Sequence, residues 1–259
     1  MMQWTTLFRK EVLENWRNYK WIWVPLVIIL LSIMDPITTY YMPQILDAAG
    51  GMPEGAVFEM PTPSPSEAIM MSLGQINSLG ILVIALISMG TIAGERKSGV
   101  TELILVKPIA YRNYILAKWF ALIVLIWLSL SAGLLMSWYY INILFGDFAF
   151  TTLLEVIFFY GLWLTLVGTI SIFYNALFKS PGAVAALSLV TIIMLSVITS
   201  TFSHILTWSP SQLPSHIQNT MISGSVSTDL LGTALVTIVI TIIMLISSIY
   251  IFKTKELAE

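Results

Sequence analysis

Cysteine is absent from the sequence, which excludes a disulfide framework, a thiolate metal site and a cysteine nucleophile. Charge is scarce. Asp, Glu, Lys and Arg make up 10% of the 259 residues, where a soluble domain carries about 25%. The two histidines, His204 and His216, have no carboxylate or third histidine at ligand spacing, so a metal site there is not expected. No HExxH, GxSxG or paired-carboxylate arrangement occurs, and an intramembrane hydrolase therefore lacks its residues. The net charge of −2 carries no information about nucleic acid, because the charges are segregated along the chain, and no nucleic-acid partner is expected.

What is present is apolar sequence. Hydrophobic residues reach 57% and the mean hydropathy is +0.87. Six apolar runs, at 21–41, 76–94, 119–145, 152–178, 182–203 and 230–252, are compared with the roughly 20 residues needed to cross the hydrocarbon core. Asp35 and Pro36 interrupt the first. Its long lead and the missing small-x-small cleavage site argue against a signal peptide, so it is read as retained. In residues 1–20, Trp4, Phe8, Val12 and Trp16 recur at helical spacing between Arg9, Lys10, Arg17 and Lys20. The pattern predicts an amphipathic interfacial helix lying in the inner headgroup layer, ahead of a six-span domain over 21–259. A basic flank that merely fixes orientation is the simpler alternative.

Orientation follows from the basic residues. With both termini cytoplasmic, Arg9, Lys10, Arg17, Lys20, Arg96, Lys97, Lys107, Arg112, Lys118, Lys179, Lys253 and Lys255 all fall on the inner side, and these are all twelve in the chain. Trp21, Trp23 and Trp119 then mark the inner boundary, and Tyr40, Tyr41, Trp138, Tyr139 and Tyr140 the outer one. The outer segment 42–75 is acidic (Asp47, Glu54, Glu59, Glu67) and proline-rich (Pro43, Pro53, Pro61, Pro63, Pro65), which suits a solvated tether better than a cation-attracting surface. In 204–229, Ile205, Leu206, Trp208, Leu213, Ile217 and Met221 interleave with polar residues, and the segment is expected on or in the outer leaflet. Asp35, Glu155 and Asp229 lie near outer span ends and read as boundary residues, with a proton relay as the alternative. Two rows of small residues, Ser129-Gly133-Ser137 and Gly161-Thr165-Thr169, mark close helix packing, within one bundle or between copies.

Residues 94–119 concentrate Arg96, Lys97, Lys107, Arg112 and Lys118 between two apolar runs and form the expected cytoplasmic loop. Within it, G-E-R-K-S-G-V-T nearly matches a phosphate-binding loop, but Val100 stands where the lysine is required and no strand precedes it. Nucleotide binding by this chain is rejected, and no cofactor is expected in it.

The run Glu95-Arg96-Lys97-Ser98-Gly99-Val100-Thr101-Glu102-Leu103, followed by Pro108-Ile109 and Ala117-Lys118, resembles the signature of ABC-2 type transporter permeases. Val100 and Lys107 depart from it, standing where Thr and a small hydroxyl residue are commoner, and the proline-rich outer segment is atypical. The resemblance implies an all-α integral membrane protein with six transmembrane helices, an N-terminal in-plane helix and a cytoplasmic coupling helix. It implies a non-enzymatic permease that pairs with a second permease copy or paralogue in the lipid bilayer of a bacterial cell. ATP and Mg would be bound by a separate ATP-binding subunit, driving export. Carried over residue by residue, Glu95, Arg96, Lys97, Thr101, Glu102, Leu103 and Pro108 would form the coupling element. The competing reading is a membrane immunity or sensor subunit that binds a ligand or partner protein without transport.

Overall fold

The computed structural model describes residues 2–48, 62–101 and 110–256. Among these the regular structure is helical: α1 (Met2–Arg17), α2 (Lys20–Ala48), α3 (Pro65–Gln75), a π-helical turn (Ile76–Gly80), α4 (Ile81–Ser88), α5 (Ala93–Lys97), α6 (Tyr111–Leu144), α7 (Phe150–Leu177), α8 (Pro181–Thr201), α9 (Leu213–Ser223) and α10 (Thr228–Glu256). Six helical stretches are long and apolar enough to cross a membrane: Lys20–Ala48, Pro65–Lys97, Tyr111–Leu144, Phe150–Leu177, Pro181–Thr201 and Thr228–Lys255. The chain is an all-α, multi-pass membrane protein.

The bundle is built around α7. In its most apolar stretch 78% of residues are buried, against 22% in α2, α8 and α10. Those three helices therefore turn most of their aliphatic surface outward, as Ile193, Val197, Leu235 and Ile246 do, where lipid chains solvate it as well as a core would.

The helices begin where local chemistry, not hydropathy, allows. A second span expected from Ile76 is preceded by helix from Pro65, because Ser64 and Glu67 form a reciprocal capping box and Pro65 occupies the first turn. Earlier in the chain, α2 runs through Pro36 and Pro43 to Ala48. Proline at 36 removes the amide that would bond the Ser32 carbonyl. That carbonyl instead accepts from the Ser72 hydroxyl at 2.6 Å, and Ser72 also meets Ser137 Oγ at 2.7 Å. Asp35 is held by Gln75, whose Nε2 lies 2.8 Å from both carboxylate oxygens. The interruption is thus repaired by α3.

Both small-residue rows pack inside this chain. A Cβ at Gly133 would lie 2.7 Å from Ser32 Oγ and 3.2 Å from the Ile28 carbonyl oxygen, so α6 touches α2 backbone to backbone. A Cβ at Gly161 would lie 2.8 Å from the Trp127 ring, whose Nε1 donates to Thr165 at 2.9 Å; Trp119 does the same to Thr169 at 2.8 Å. Gly133→Ala is therefore expected to lower stability by about 1–3 kcal/mol through overpacking. Gly74→Ala, with nothing within 4 Å of the new methyl, should be neutral or gain up to about 1 kcal/mol. Thermal unfolding of the detergent-solubilised protein compares the two, and equal melting points would remove the close approach.

The segment after α8 differs in part from the leaflet-inserted expectation. Ile205 and Trp208 are exposed, but Leu213 and Ile217 on α9 are buried within the protein. A short helix beside a larger bundle buries its own apolar face there before any lipid can reach it. Gly224, at φ +70°, ends α9 in the left-handed conformation that turns the chain into α10.

Candidate functional site

The basic end of the bundle is where the chain stops being purely apolar. The helix entering it breaks after Ser88, and α5 restarts at Ala93. Asn175, fully buried on α7, spans the break. Its Oδ1 accepts from the Ile92 and Ala93 amides at 3.1 and 2.9 Å, and its Nδ2 donates to the Ser88 and Ser171 carbonyls, both at 2.9 Å. Ser88 Oγ donates to Ser171 Oγ at 2.7 Å, and Lys20 donates to the Ile87 carbonyl at 3.2 Å. The Ile92 and Ala93 amides at the start of α5 find their acceptor in Asn175, which takes the place of a capping residue.

Beyond the break lies a buried charge network. Lys118, on α6 and 2% exposed, sits 2.8 Å from Glu11 Oε1 of α1 and 3.0 Å from Glu95 Oε1 of α5. Lys10 donates to Glu95 and lies 3.2 and 3.5 Å from Glu11 and Glu14. Tyr114 donates from Oη to Glu95 Oε2 at 2.6 Å and neighbours Thr101 Oγ1 at 3.4 Å. Its ring stacks on Phe252 of α10, with centroids 5.4 Å apart, and Arg96 sits over the same Phe252 ring. Arg96 Nη1 also donates to the Ala176 carbonyl at 3.3 Å. A single short helix is thereby fastened to α1, α6, α7 and α10.

Ions withdrawn this far from water cost several kcal/mol each unless paired. Here each carboxylate faces an ammonium. Burial alone would depress the Lys10 ammonium, but Glu11 and Glu95 outweigh it and hold its pKa above the ordinary lysine range. Oxygens of Glu11, Glu14 and Glu95 converge within 4.8 Å, a spacing that suits a metal ion, yet Lys10 and Lys118 already pair with all three carboxylates. A polar cleft of about 180 Å³ opens beside the network, between Glu11, Lys20, Thr91 and Lys118.

The expected coupling residues separate by exposure. Glu95 and Arg96 point into the chain, Thr101 is buried, and Lys97 is exposed. Glu102, Leu103 and Pro108 lie outside the described residues. Lys118, expected to open the next span, is inside α6 and fully paired. Sequence reasoning missed Glu11, Tyr114 and Asn175. Glu11 did carry a signal: it shares the face of Leu7, one turn away, and that face, not the Trp4–Phe8–Val12–Trp16 stripe, is the most buried part of α1.

Residues 5–257 match the family model described as "ABC-2 family transporter protein". The chain is also similar to the uncharacterized transmembrane protein YxlG of Bacillus subtilis (strain 168), at 31% identity over 251 residues, covering 96% of this chain and 97% of the relative.

Proposed function

This chain belongs to the ABC-2 transporter family and is a membrane transport component, and from that premise we propose that it is the permease subunit of an ATP-driven exporter. In this reading a separate ATP-binding subunit binds ATP and Mg and docks at the basic end. A second permease, a copy or paralogue, completes the pathway across a bacterial cell membrane, with both termini cytoplasmic. The observation that carries it is the bracing of α5. Glu95 ties it to α1 and α6, Asn175 to α7, and Arg96 to α7 and α10, while Lys97 remains outward.

This division of labour suits a lever. A partner pressing on the exposed end of α5 and the residues after it would move a helix that cannot shift without pulling on α1, α6 and α7. Glu95 and Arg96 act as positioning residues behind the contact, and Lys97, Glu102 and Leu103 are assigned to the contact itself. The orientation is supported by the ties among basic residues. Lys10 and Lys118 meet Glu95, Lys20 meets the end of α4, and Lys255 donates to the Leu177 carbonyl at 2.6 Å, so α1, α2, α6 and α10 bring cations to one end, beside the ends of α4 and α7.

The test is partner ATPase activity in reconstituted membranes, together with co-purification of the partner. Lys97→Glu and Glu102→Arg each reverse a charge at the proposed contact. Losing an interfacial charge pair costs about 2–5 kcal/mol, so both stimulation and co-purification should fall at least tenfold, roughly. Glu59→Arg, in the outer segment, should change neither. Unchanged stimulation and co-purification with both contact variants would end the coupling proposal.

A further inference from the structure

An apolar groove of about 530 Å³ runs between α6 and α10, on the outside of the bundle. Leu116, Ile242, Ile246 and Ile249 are among the residues that line it, and Arg112 and Lys253 stand with Tyr250 at its basic end. We propose that this groove binds an anionic phospholipid, with an acyl chain along the aliphatic wall and the headgroup phosphate between Arg112 and Lys253.

The groove's length fits one leaflet. Ile242, Ile246, Ile249 and Lys253 follow one another on one face of α10, at spacings of four, three and four residues. From Ile242 to Lys253 the helix rises about 16 Å. Half of a hydrocarbon core roughly 30 Å thick is nearly the same distance. The aliphatic wall therefore ends, and the cations begin, at the depth where acyl chains give way to headgroups. On the orientation proposed above this is the inner leaflet.

The charges choose the lipid class. Lys10, Lys20, Lys118 and Lys255 all have partners in the chain. Arg112 and Lys253 are exposed, with no ion pair or hydrogen bond among the described residues and no acid lining the groove. An anion from outside the chain would complete the pair. A second copy of this chain is the less suitable occupant, since a twofold contact through the groove would set four cations against one another. A zwitterionic headgroup would place its own ammonium beside them. A phosphatidylglycerol-type headgroup carries the phosphate without that opposing charge, and each basic side chain near such a surface strengthens binding by about fivefold.

The absence of cysteine makes the test direct. Tyr250→Cys carries a bimane fluorophore in the full chain, reconstituted into phosphatidylcholine vesicles. Nitroxide-labelled phosphatidylglycerol or nitroxide-labelled phosphatidylcholine is then added at matched mole fractions. Phosphatidylglycerol should quench at roughly tenfold to thirtyfold lower mole fraction. In Arg112→Gln/Lys253→Gln the difference should vanish, while Arg9→Gln/Arg17→Gln, which removes two exposed cations elsewhere at the same end, should retain it. Equal quenching by the two lipids before any charge is removed would overturn the proposal. So would a preference that survives the groove variant, or one lost equally in the control variant. Weak quenching by both lipids, with the label shielded, would show that protein fills the groove and would overturn it too.

Discussion

Replacing Lys118 with methionine is expected to destabilise the protein by about 3–5 kcal/mol. The side chain is 2% exposed, so water cannot take over its role. Its removal leaves the buried Glu11 and Glu95 to share the half-exposed Lys10 with Glu14, three carboxylates against one ammonium. The penalty arises from the charges left behind more than from the pair lost, and that distinction can be measured. If uncompensated carboxylate is the cause, adding Glu11→Gln to Lys118→Met should recover part of the loss, with a coupling of about 0.5–3 kcal/mol in a double-mutant cycle. Denaturation of the detergent-solubilised protein reports both quantities. Simple additivity of the two changes would mean that Lys118 does not act through Glu11, leaving its pair with Glu95 and its position 5.2 Å over the Tyr114 ring as the source of the loss.

Asn175→Leu should cost nearly as much, about 2–6 kcal/mol, for a different reason. The Ser88 carbonyl keeps a second donor in the Thr91 amide, at 3.1 Å, but the Ile92 and Ala93 amides have no other acceptor among the described residues. Each buried orphan donor costs about 1–3 kcal/mol. Leucine keeps the branched shape and the number of heavy atoms and supplies no acceptor. Ser171→Ala, which removes only one hydroxyl contact from Ser88, should cost about 1 kcal/mol. Amide hydrogen exchange would localise the effect: in Asn175→Leu, protection should be lost first across 89–97. A small loss of stability spread evenly over the bundle would contradict the bridging role.

Hydropathy made the six spans legible because a lipid core demands long apolar stretches and little else does. It could not see where each helix starts. At Pro65 the helix is set by the cap at Ser64, and at Tyr111 it begins in a charged turn that is already outside the apolar run. The periodicity of α1 was visible, but the choice of buried face was not. Leu7 and Glu11 are buried because Lys118 waits opposite them, and a carboxylate gives no hint in isolation that a lysine on another helix will neutralise it. Glu95 and Arg96 stood out through their resemblance to a family motif. Their inward direction depended on Tyr114, Asn175, Ala176 and Phe252, which are distant in the chain.

The same pairing imposes an order in time. Glu11 leaves the ribosome before its buried partner Lys118, which lies 107 residues further on. At roughly 5–20 residues per second, about 5–20 s of synthesis separate the two. Through that interval Glu11 has its neighbour Lys10 as ion-pair partner and lacks the buried one, so burying that face is uncompensated. It is expected to stay in water or among headgroups while α2 through α4 insert. The ammonium of Lys118 then arrives with α6, and α1 closes onto the bundle only afterwards. A helix made before α6 is thus seated after it.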